Sequence, residues 1–94
     1  MNRSIHPGEI LADELRELNV SAAELARQIK VPRNRLSQIV NGKRAITGDT
    51  ALRLGHWFGT SAQFWLNLQS AHDLELAEAT VGKSVARLPR RTAA

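Results

Sequence analysis

Asn34 and Gln38 stand four residues apart, a spacing that places two amide side chains together on one face of a helix. Such amides pair bidentately with the adenine edge in the major groove of a DNA duplex. Arginine pairs with guanine in the same way, and each such pair is worth about 1 to 3 kcal/mol of discrimination. On a helical wheel Ser37 joins them, Arg33 and Arg35 flank them, and Leu36, Ile39 and Val40 fall on the opposite arc. Asn41, Lys43 and Arg44 follow at once and are placed to touch phosphates, contacts that position a protein without reading sequence. The competing reading of the amide face is an ordinary solvated helix side.

No other group of residues offers comparable chemistry. Glu9, Asp13, Glu14 and Glu17 include two i, i+4 carboxylate pairs, Glu9 with Asp13 and Asp13 with Glu17. Neither a nucleophile nor a metal ligand accompanies them, so a solvated acidic face is expected and no catalytic residue is assigned. His6, His56 and His72 are scattered and cysteine is absent, so neither metal nor cofactor is expected. An enzyme would need a convergent acid, base or metal cluster, and no small-molecule substrate is implied. The longest apolar run is three residues, against about 20 for a membrane span. The N-terminal stretch lacks a signal-peptide core, and the expectation is a soluble cytoplasmic protein without membrane contact.

Ninety-four residues provide for one small domain. The net charge of +4 is unevenly spread: residues 1–24 carry −3, residues 25–48 carry +6 without a single acid, residues 49–79 carry −3 and residues 80–94 carry +4. A purely basic central quarter between acidic flanks points to a local anion-binding surface; a solvated cationic face is the bland alternative.

Five segments have helical periodicity, and strand signals are nearly absent, so the fold class is all-α. The first runs from Pro7 to about Leu18. Ser21 and Glu24 form a capping-box pattern opening the second, whose inward stripe is Ala22, Leu25, Ala26 and Ile29. Only Lys30, Val31 and Pro32 separate it from the third, Arg33 to Val40, a connection short enough to force the steep crossing of a helix-turn-helix. Thr47 is expected to cap the fourth and Gly59 to close it, with Gly55 allowing close helix contact. The fifth begins after Ser61 and is expected to end near Glu78. Residues 1–79 form the predicted domain and residues 80–94 a flexible basic tail.

Trp57, Phe58, Phe64 and Trp65 cluster within nine residues and are expected in the core. The fifth helix is apolar over more than one stripe, so a second buried face is expected: a symmetric dimer through Trp65, Leu66, Leu68, Leu74 and Leu76. Two-fold proteins read half-sites one DNA turn apart, about 34 to 36 Å.

Three sequence blocks in order, His6-Pro7-Gly8-Glu9-Ile10-Leu11, Asn41-Gly42-Lys43-Arg44-Ala45-Ile46-Thr47 and Phe64-Trp65-Leu66-Asn67-Leu68-Gln69, resemble the HigA-type antitoxins of bacterial toxin–antitoxin modules. These belong to the Xre, or phage-repressor-like, group with its five-helix DNA-binding domain. The resemblance implies a dimeric repressor that binds a double-stranded DNA operator and neutralises a HigB-type mRNA-cleaving toxin. It places Arg33, Asn34 and Gln38 at base-contacting positions and Arg35, Lys43 and Arg44 at backbone contacts. Ala22 stands where many relatives carry Gln, and Arg27 is the candidate to compensate as a backbone contact. An mRNA-cleaving toxin is expected to be basic, which makes Glu9, Asp13 and Glu17 candidate toxin contacts. A regulator with no toxin partner and a pure protein-interaction bundle are the competing functions.

Overall fold

The computed structural model describes residues 5–91; residues 1–4 and 92–94, the outer ends of the predicted domain and tail, lie outside it. Five helices follow in order: α1 (Pro7–Leu18), α2 (Ala22–Ile29), α3 (Arg33–Val40), α4 (Gly48–Phe58) and α5 (Ala62–Ala86). Their apolar stripes meet in one core of Leu11, Leu15, Leu25, Ala26, Ile29, Leu36, Ile39, Ile46, Ala51, Leu54 and Trp65. In it α2 packs on α3, α4 on the first half of α5, and α1 on both α3 and α5.

Helix starts follow from local hydrogen bonding, though not always by the expected residues. The α1 cap is His6, whose Nδ1 accepts from the Gly8 amide at 2.9 Å while the Glu9 carboxylate accepts from the His6 amide at 3.3 Å. That reciprocal box was not anticipated, and it uses an imidazole in place of a hydroxyl. At α2 the expected box is only half made: Ser21 Oγ accepts from the Glu24 amide, but the Glu24 carboxylate turns outward to Arg27 and Gln28. Thr47 precedes α4 without a side-chain cap bond. Gly8 is buried where α1 crosses the end of α3, and a β-carbon there would overlap the Ile39 carbonyl oxygen. Gly55 serves a close approach as expected, although its neighbour is the chain entering α5 at Thr60–Ala62.

Helix five departs most from expectation. It continues past Glu78 to Ala86, 25 residues in all, so residues 80–86 are helix and not flexible tail. Residues 79–86 contain no proline; Thr80 donates its hydroxyl to the Leu76 carbonyl at 2.8 Å, and the Glu78 side chain lies over Gly82. At 1.5 Å per residue this helix is about 37 Å long, and its second half runs beyond the core, accounting for the 52 Å long axis.

Candidate nucleic-acid interface

The turn between α2 and α3 is closed by Lys30 in the left-handed region, φ 60°, with Val31 N–H bonded to the Ala26 carbonyl at 3.1 Å. Buried Leu36 and Ile39 clamp α3 against α2, which aims the opposite arc at solvent. Arg33, Asn34, Ser37 and Gln38 are all exposed, and none of their side chains is hydrogen-bonded or ion-paired among the described residues. Their polar groups are open to a ligand.

Beyond α3, Gly42 takes φ 75° and the chain turns back, presenting Asn41, Lys43 and Arg44 to solvent. Two interior anchors hold this loop. Gln69 of α5 accepts the Ile46 amide at 2.8 Å and donates to Asp73 at 2.9 Å, although it is almost wholly buried. On the other side the His6 ring lies against Gly42 and edge-on to His72, ring centroids 4.9 Å apart. Burial of His6 and the adjacent His72 hold its pKa below the usual histidine value, against the raising effects of the Arg44 backbone, Glu9 and Asp73.

Two of the predicted backbone-contacting arginines have protein partners. Arg35 donates to Asp49 at 2.7 Å, and the same carboxylate accepts from Arg53 at 3.1 Å. Arg53 in turn donates to the Ile29 carbonyl at 2.7 Å, tying α4 to the end of α2. These two guanidinium groups, Arg53 first, hold the Asp49 carboxyl below its ordinary pKa. Together with Asp49, Arg44, Thr47 and Thr50 they line an open hollow beside α3, where three arginines against one carboxylate leave a net positive charge that attracts phosphate. Arg53 and Asp49 were not singled out from the sequence; their i, i+4 spacing could have shown that pair, whereas nothing in the spacing joins Arg35 to Asp49. Arg27 is paired with Glu24 on the α2 surface, and this pair, followed by Gln28, lowers the Glu24 carboxyl to about 2. Ala22 is half-buried at the foot of α2.

Glu9 leaves the acidic face of α1, because its carboxylate serves the His6 cap; Asp13, Glu14 and Glu17 remain exposed. The predicted dimer residues do not form one surface. Trp65 is 1% exposed and belongs to the core, donating its indole N–H to Thr60 Oγ1 at 3.1 Å. Leu66 and Leu68 are half-buried against that core. Leu74 and Leu76, both exposed, are two residues apart and so point to opposite sides of α5. The signal that separates them is the seven-residue spacing of Leu74 and Val81, with Val85 one turn beyond on the same side.

The helix-turn-helix family profile matches residues 11–65. A solved HigA-family addiction module antidote protein from Coxiella burnetii is 49% identical and superposes with a TM-score of 0.93 over 97% of this chain and 100% of that one. The chain belongs to the HigA-type antitoxin family. Within this family, the Pseudomonas aeruginosa antitoxin HigA, solved with the higBA promoter, is 48% identical with a TM-score of 0.90, covering 96% of this chain and 100% of that one. Virulence-associated protein I of Dichelobacter nodosus is 51% identical over 76 residues, 80% of this chain and 70% of that protein. The HigA-type match spans all five helices, including the second half of α5.

Proposed function

We propose that this protein is a sequence-specific DNA-binding antitoxin that represses its own operon and neutralises a HigB-type mRNA-cleaving toxin. It acts in the cytoplasm as a homodimer and is not an enzyme. The observation that carries the DNA reading is the unpartnered amide pair, Asn34 and Gln38, exposed on α3 between cationic Arg33 and the Lys43–Arg44 loop. Arg33, Asn34, Ser37 and Gln38 read base edges. Lys43, Arg44, Asn41 and Arg35 contact phosphate, with Arg53 beside Arg35, and Arg27 reaches the backbone by leaving its pair with Glu24. The HigA relative solved with its promoter supports DNA as the partner.

Leu74, Val81 and Val85 project from one side of α5, each at least 45% exposed, and a second copy of this helix covers them; Leu88, also exposed, lies two residues beyond the helix end. No helix among the described residues is long and apolar enough to cross a membrane.

Protection of the gene's own promoter in a footprint, with and without the product of the adjacent open reading frame, tests the reading. A protected palindrome whose half-sites lie about one turn apart supports it; binding no tighter than to random DNA overturns it. Light scattering is expected to give twice the 10.4 kDa chain mass, and a monomer at tens of micromolar overturns the dimer.

A further inference from the structure

A cleft between α1 and the α4–α5 corner shares no residue with α3 or the loop that follows it. Ile10 and Glu14 form one wall, Phe58 and Thr60 the second, and Phe64 and Trp65 the third and the floor, around a volume of about 180 Å³. Because the Trp65 indole N–H is satisfied by Thr60, the floor presents carbon. Phe58 and Phe64 stand against Trp65 at ring-centroid distances of 5.3 and 5.2 Å, and Phe64 at the mouth is 42% exposed. An apolar cavity of about 150 Å³ accommodates benzene, so this one has room for one large apolar side chain. Its rim is acidic. Arg16 engages Asp13 at 2.6 Å, whereas neither Glu14 nor Glu17 is ion-paired among the described residues.

We infer that this cleft docks the toxin, taking an apolar or aromatic side chain that a basic protein presents between lysines or arginines. A protein that cleaves mRNA handles a polyanion and carries a cationic surface, which the Glu14–Glu17 edge complements. A single buried anchor supplies the affinity and the carboxylates supply orientation and association rate. The inference rests on the antitoxin reading above and centres the docking surface on Glu14 and Phe64, away from Glu9.

The test uses the full chain, the separately purified product of the adjacent open reading frame, and the promoter duplex. Glu14→Lys and Phe64→Lys are each expected to weaken protein–protein binding about tenfold or more while promoter affinity and the circular dichroism melt stay those of the parent. Raising salt should shrink the Glu14→Lys effect and leave that of Phe64→Lys. Glu14→Lys alters only an exposed side chain and remains informative if Phe64→Lys melts early. Parent-level toxin binding by Glu14→Lys together with a folded Phe64→Lys overturns the cleft and spares the antitoxin reading. A parent chain that binds no toxin overturns both. If Phe64→Lys converts a dimer to a monomer, a second copy fills the cleft and the inference is wrong.

Discussion

The Arg35 guanidinium is held 2.7 Å from the Asp49 carboxylate, fourteen residues away and on the next helix. Asp49 thereby restrains the one arginine of α3 that is less than one-third exposed, 28% for its side chain, and also offsets one positive charge beside the phosphate hollow. Asp49→Asn should therefore raise affinity for all DNA at low salt and reduce the preference for the operator, since the Arg35 charge is no longer offset by a carboxylate and its guanidinium loses its fixed position. Neutralising about one more phosphate steepens the slope of log K against log salt by about 0.9. Fluorescence anisotropy on operator and random duplexes across a salt series measures both quantities, and an unchanged slope contradicts the argument.

Gln38 and Lys43 should fail in different ways. Gln38→Ala or Asn34→Ala is expected to cost about 1 to 3 kcal/mol on the operator and to relax sequence preference at one base pair, with random DNA bound as before. Lys43→Ala should weaken both duplexes by the same factor. Equal losses on operator and random DNA for Gln38→Ala would remove it from the base-reading set.

Gln69 illustrates a polar group held for geometry. Its buried amide spans from Ile46 in the loop after α3 to Asp73 on α5, so Gln69→Leu fills the volume yet leaves a buried backbone N–H unpaired. The expected loss is about 1 to 3 kcal/mol, read as a lower urea midpoint with an unchanged m value. Operator affinity should fall as well, because the loop carrying Lys43 and Arg44 is less well fixed.

Gly8 and Gly48 make a controlled pair. At Gly8 a methyl would strike the Ile39 carbonyl, part of a rigid helix end, while nothing lies within 4 Å of a methyl at Gly48. Gly8→Ala should therefore force α1 off α3 and destabilise by about 1 to 3 kcal/mol or more. Gly48→Ala should leave the melt unchanged or raise stability by about 0.4 to 1 kcal/mol. Thermal denaturation of the two variants side by side decides it.

The helices and the amide face were legible because they depend on local signals. Periodicity placed Leu36 and Ile39 inside, and with them Asn34 and Gln38 outside; Pro32, Asn41 and Gly59 marked ends. What escaped was set by contacts distant in the chain. The Arg35–Asp49 pair and the Gln69–Ile46 bridge join residues whose spacing has no period. Trp65 was assigned both to the core and to an interface, because apolarity alone cannot tell a core face from an outer one. The end of α5 was placed too early because residues 79–86 lack an inward stripe: they pack on no other helix among the described residues and stay helical by local bonding.

His6 gives the fold a defined pH response. Its Nδ1 must be unprotonated to accept the Gly8 amide, and its pKa in the folded chain is depressed from the ordinary 6.5, first by burial and then by His72. Between the lowered folded value and 6.5 the unfolded chain binds more protons than the folded one, so stability rises with pH across that window. The contribution is complete above 6.5 and is lost as pH falls through the folded value, where protonation breaks the α1 cap and places a charge beside Gly42 and His72. His6→Asn keeps a capping oxygen without a titrating group. Urea midpoints at about pH 7.5 and about pH 5.5 should therefore fall for the parent chain and fall less for His6→Asn. Because Glu24 and Asp49 lose their charge only below the ordinary carboxylate range, they do not contribute in this window. Equal falls in the two proteins would assign the response to another group.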